Sequence, residues 1–175
     1  MGFFDFFSRD SRNYFVLTLK GESFPISDKE LAAISDYYSI SLHDPNLVIR
    51  VFNEDIQKFL DLMFKYETIS SKIVASKESV SFMKKGLVSK RSVVGYSMEA
   101  LDEVDALSED ETKLSKTLRV VGLELRQQAQ VLIDIINHIR IKVPKSKLLR
   151  LISPSFYEIY SKEVSKLPLL KSIKS

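Results

Sequence analysis

The chain has 175 residues, 45% apolar and 28% charged, with a formal net charge of +3. That size and balance suit one globular domain, or a small lobe with a helical extension, and exclude a disordered chain. With no cysteine and only two histidines, His43 and His138, the sequence excludes disulfide frameworks, thiolate metal sites, iron–sulfur clusters, cysteine nucleophiles and a paired-histidine motif.

The glycines, at positions 2, 21, 86, 95 and 122, are too scattered for either glycine-rich phosphate loop. No run of 18 apolar residues marks a membrane-spanning helix. Residues 1–13 form an aromatic segment with Phe3, Phe4, Phe6 and Phe7. Such rings insert into a membrane interface or dock on a protein surface. This opening is similar to the amphipathic first helix of phage-shock and ESCRT-III-like membrane-remodelling proteins, and the hairpin that follows departs from those all-helical proteins. No basic stretch precedes the short apolar run, so no secretory signal is read and the expected location is cytoplasmic.

Tyr14–Leu19 and Ser23–Ile26 read as a hairpin around Lys20-Gly21-Glu22, with Pro25 confining the return strand to an edge. Ser27-Asp28-Lys29-Glu30 is a capping box that starts a helix over about 28–39. His43-Asp44-Pro45-Asn46 reads as a turn, and both histidines read as structural. Leu47–Phe52 is rich in β-branched residues and predicts a third strand. Asn53 is expected to cap a helix that carries Ile56, Phe59, Leu60 and Met63 and ends near Lys85, with Gly86 as its cap.

A heptad runs from Ala100 to Ile139. Val104, Glu111, Leu118, Leu125, Leu132 and Ile139 fall at one seam position. Ala100, Leu107, Leu114, Val121, Gln128 and Ile135 fall at the other. The helix is expected either to break near Ser108 or to project. Glu111, in an acidic run, is expected to be solvated, whereas Gln128 is expected to be a buried register-setting amide. Pro144 ends this helix, and Pro154, after Ser153, is expected to open the last one. The fold class is therefore α+β and mainly α. A small N-terminal β-β-α-β unit precedes long helices packed as an antiparallel hairpin or bundle. The expected division is an α/β lobe over 14–90 with a long helix, then a helical region over 91–175 with a basic tail.

Charge alternates by segment. Residues 1–59 hold 6 basic and 9 acidic residues, 60–95 hold 7 and 3, 96–139 hold 4 and 9, and 140–175 hold 9 and 2. This pattern fits compensation between packed helices, or a basic C-terminal surface that attracts anions. Glu99, Asp102 and Glu103 share a helix face, but without a second ligand motif they read as a solvated face.

No serine has a nucleophile context, no acid–base constellation stands out, and no cofactor motif occurs. The expected function is a non-enzymatic protein–protein interaction or assembly module. It would oligomerise through the seam of Leu107, Leu114, Leu118, Val121, Leu125, Gln128, Leu132 and Ile135. One alternative is a nucleic-acid-associated protein using the basic segments 84–91 and 140–174, with Lys84, Lys85, Lys90, Arg91, Lys145, Lys147 and Arg150 as the contacts. Another is peripheral membrane contact through the four N-terminal phenylalanines.

Overall fold

The computed structural model describes residues 13–90 and 98–164. The elements are β1 (Tyr14–Leu17), β2 (Ser23–Ile26), α1 (Asp28–Tyr38), α2 (Pro45–Lys90), α3 (Met98–Lys142) and α4 (Lys147–Val164). The fold is mainly helical, with two antiparallel strands near its start.

The hairpin pairs Tyr14 with Ile26 and Leu17 with Ser23. Gly21 turns the chain at φ 80°, a conformation that favours glycine. The Thr18 N–H donates to the Glu22 carbonyl at 2.7 Å and closes the turn. The capping box then starts α1 as its sequence predicts. The Ser27 N–H donates to Glu30 Oε2 at 2.7 Å, and the Glu30 N–H donates to Ser27 Oγ at 3.4 Å.

Leu47–Phe52 is helix, not a third strand. Asp44 caps the start of α2, accepting the Leu47 N–H at Oδ1, 3.0 Å away. Pro45 takes the first helical position, where its missing N–H costs nothing. Val48, Phe52 and Ile56 then bury one side at helical spacing, each fully covered. Packing on that stripe outweighs the strand preference of the β-branched run. Asn53, expected as a cap, lies inside α2 and completes the open edge of β1. Its Oδ1 accepts the Leu17 N–H at 2.8 Å, and its Nδ2 donates to the Phe15 carbonyl at 3.5 Å. The side-chain amide thus supplies the donor and acceptor a third strand would have offered. Helix α2 also runs through Gly86 to Lys90 rather than stopping at Lys85. One glycine costs about 1 kcal/mol in a helix, which a helix of 46 residues absorbs.

The chain forms two compact units. Unit 1 joins the residues up to Lys58 with those from Ala129 onward. Its core includes Val16, Leu31, Ile34, Val48, Phe52, Leu132, Ile135, Ile139, Leu148 and Phe156, none more than 4% exposed. Each such side chain contributes roughly 1.5–3 kcal/mol of burial.

Unit 2 spans Phe59–Gln128 and contains one stretch of α2 and one of α3. On α2, Phe59, Tyr66, Ile73 and Val80 recur every seven residues, with Leu62, Ile69 and Ser76 three positions after the first three. The apolar members of that double row are all buried. This second heptad had no counterpart in the reading of the sequence. On α3, Leu107, Leu114 and Leu118 are half-buried, and Val121, Leu125 and Gln128 are buried within one chain.

Glu111 is half-buried rather than solvated, with Lys77 Nζ 3.6 Å from its Oε1. Helix α3 continues unbroken through Ser108-Glu109-Asp110. Nothing there forbids helix, and the Thr112 hydroxyl donates to the Ser108 carbonyl at 3.0 Å.

Candidate functional site

Helix α3 ends at Lys142, and the chain turns through Val143–Ser146 into α4. The expected start at Pro154 is wrong by seven residues, because the cap of α4 comes from a distant residue. Glu30 Oε1 accepts the Leu148 N–H at 3.0 Å and also a bond from the Ser146 hydroxyl. Its other oxygen serves Ser27. One carboxylate, 3% exposed, therefore caps two helices whose starts lie more than 100 residues apart in sequence. Burial pushes its pKa up, but the bonds from Ser146, Ser27 and Leu148 outweigh that and hold it below the ordinary carboxylate value.

A second clasp fixes the end of α3. Asp36 Oδ2 lies 3.1 Å from both His138 Nε2 and Lys142 Nζ. The Lys142 bond and charge, followed by the His138 bond, keep Asp36 below its usual pKa. The edge of the Tyr37 ring packs on His138, with centroids 5.7 Å apart. His138 is thus held by a carboxylate on one side and an aromatic ring on the other.

A groove lies between the end of α3 and α4. Its volume is about 350 Å³. Arg140, Lys145 and Arg150 line it with Ile136, Pro144, Leu149 and Tyr157. No acidic residue lines it. Tyr157 is 43% exposed and braced edge-on by the buried Phe156, with centroids 5.9 Å apart. Pro154 sits inside α4 on the same wall and has no N–H to give to the Arg150 carbonyl.

A different surface lies on the outer face of α2 in unit 2. Phe64 and Phe82 are 74% and 79% exposed. They are 18 residues apart, which is five full helical turns, so they lie on one line about 27 Å long. Between them, the Thr68, Ser71 and Ser79 hydroxyls donate to carbonyls four residues back, at 2.8, 2.9 and 2.9 Å. Their donors are therefore occupied within the helix.

The expected site residues divide accordingly. The eight seam residues sit in covered or half-covered rows, with Leu132 and Ile135 in unit 1 and the other six in unit 2. Lys145 and Arg150 come together in the groove, while Lys147 is exposed but does not line it. Lys85 flanks Phe82 in a shallow surface recess. Lys84 and Lys90 lie within α2, and Arg91, Phe3, Phe4, Phe6 and Phe7 lie outside the described residues. Arg140, at the start of the basic segment 140–174, joins the groove, and so does Tyr157, which the sequence did not connect with Lys145 and Arg150. Arg150 and Tyr157 are seven apart on one helix face, a spacing hidden once Pro154 was taken as a helix start.

Among the described residues no group of acidic or histidine side chains is arranged to hold a metal ion. Asp102, Glu103, Asp105, Glu109 and Asp110 are exposed on α3. No helix among the described residues is long and apolar enough to cross a membrane. No protein family, no curated protein and no solved structure matches the chain.

Proposed function

We propose that this protein is an assembly module that pairs with a second copy of itself through the outer face of α2. The exposed Phe64–Phe82 line carries the reading. Two phenylalanines left three-quarters in water on one straight strip are two anchor points, about 27 Å apart, that a second helix lying along α2 would cover. The seam on α3, the contact expected from the heptad, is half-covered at Leu107, Leu114 and Leu118 and buried from Val121 on, so the more open surface is the outer face of α2.

The rim of the strip favours a copy of itself as the occupant. Asp61, Glu67 and Glu78 alternate along it with Lys65, Lys72 and Lys85. Such a rim offers both signs in equal number to an identical surface, whereas a strongly acidic or basic partner gains little from it.

Light scattering and sedimentation equilibrium test the reading. The wild-type chain is expected to dimerise at micromolar concentration. The Phe64→Ser/Phe82→Ser double variant is expected to remain monomeric, with the same far-ultraviolet circular dichroism. A wild-type chain that stays monomeric at high micromolar concentration refutes the proposal, as does a double variant with undiminished association.

A further inference from the structure

We propose that the groove between the end of α3 and α4 binds single-stranded nucleic acid. Arg140, Lys145 and Arg150 take its phosphates, and Tyr157 stacks on a base. Three observations in unit 1 converge on this ligand chemistry. The first is charge. Residues 135–157 contain five basic and no acidic residues. Among the described residues, Arg140, Lys145 and Arg150 have no ion-pair partner, whereas nearby Lys142 is engaged by Asp36. Three cations gathered without counter-charge repel one another, and an anion relieves that repulsion.

The second is the apolar wall. Free phosphate would use the cations alone, but this groove also offers Ile136, Leu149, Pro144 and the half-exposed Tyr157 ring. A nucleotide combines a phosphate with a flat, weakly polar face, and a ring beside an arginine is the usual platform for such a face. The edge contact with Phe156 holds the Tyr157 ring in place, so little order is lost on stacking.

The third is shape. The groove is concave, and its volume of about 350 Å³ suits a small ligand. A flexible single strand can bend a nucleotide into it, whereas a duplex presents its phosphates on a stiff convex rod.

Fluorescence anisotropy with a labelled oligothymidylate tests the proposal, using the full chain at low salt. With three phosphate contacts, the logarithm of affinity should fall against the logarithm of salt with a slope of about −2. That is roughly a 20-fold loss between about 50 and 200 mM. Arg140→Ala/Arg150→Ala should reduce binding by at least tenfold. Tyr157→Ala should lose about 5- to 150-fold, the range of a single stacked base. Tyr157→Phe, which keeps the ring, should bind as the wild type does. Lys58→Ala, an exposed charge away from the groove, should change binding little. Circular dichroism checks that each variant is folded, and Tyr157→Phe keeps the stacking claim testable if Tyr157→Ala is not.

An abasic strand of equal length should bind more weakly than oligothymidylate, and duplex DNA more weakly still. Failure of the single strand to bind at low salt overturns the proposal. So does equal binding of the abasic strand, which would reduce the groove to a phosphate site. Binding of anionic phospholipid vesicles by the same arginines, with no loss in Tyr157→Ala, would identify a lipid headgroup instead and also overturn it.

Discussion

Replacing Glu30 by glutamine removes one charge and one acceptor while keeping the size of the side chain. In the wild type, one carboxylate oxygen receives the Ser27 N–H and hydroxyl, and the other receives the Leu148 N–H and the Ser146 hydroxyl. An amide keeps one oxygen and puts an NH2 group where the other stood. A serine hydroxyl can rotate to accept from that NH2, but a backbone N–H cannot. Either the part-buried Ser27 N–H or the buried Leu148 N–H then faces another donor, at a cost of about 1–3 kcal/mol that is largest at Leu148. The remaining bonds lose their charge assistance, so the total is about 2–4 kcal/mol. For a chain of this size each kcal/mol moves the melting temperature by about 2–4 °C, which predicts a drop of roughly 5–15 °C at neutral pH. Because the folded pKa of Glu30 lies below its ordinary value of 4.5, the wild-type advantage is complete above that value. It is lost as the pH falls through the folded pKa. Glutamine does not titrate, so the gap between the two melting curves should narrow on acidification below about pH 4.5. Calorimetric melts of both proteins across this range measure it. A neutral-pH gap within measurement error, or a gap that widens in acid, would show that Glu30 does not cap both helices in its charged form.

Three further outcomes rest on single contacts. Asn53→Ala should expose the Leu17 N–H and cost about 1–2 kcal/mol, read as faster amide exchange at Leu17; unchanged protection there would mean that Asn53 does not close the β1 edge. Ser76→Ala should raise the melting temperature by about 3 °C, because the Ser76 hydroxyl is buried without a hydrogen-bond partner; a lower melting point would reveal a partner. Lys142→Met should move the Asp36 carboxyl back up towards its usual 3.8, followed by carbon-13 titration; an unmoved titration would rule out Lys142 as the main cause.

Local signals with a single reading were legible from the residues alone. The Ser27/Glu30 box set the start of α1, Gly21 set the hairpin turn, and the α3 heptad placed Val121, Leu125, Gln128, Leu132 and Ile135 in covered positions. Misreadings arose where a local preference met a distant partner. Leu47–Phe52 looks like strand until the rest of unit 1 covers Val48 and Phe52. Pro154 looks like a helix start because the real cap, Glu30, lies 118 positions from Leu148. The α2 heptad escaped because Tyr66 and Ser76 interrupt its aliphatic pattern, and because Phe64 and Phe82, on the opposite face, blur the period. Charge counts marked the segment that carries the groove but not the position of Tyr157, since that depends on where α4 begins.

The discontinuity of unit 1 has a consequence for synthesis. Its core needs Val16, Ile34 and Phe52, which precede unit 2 in the sequence, and Leu132, Ile139 and Phe156, which follow it. A chain emerging from the ribosome therefore exposes the first half of that core until the last helix has been made. Unit 2, a single contiguous stretch from Phe59 to Gln128, can close earlier. Glu30 meets the Leu148 N–H only after that, so its second oxygen acts as a latch that closes once α4 has begun to emerge. Until then the carboxylate has Ser27 as its partner, and the early segment is a nascent helix awaiting a lid.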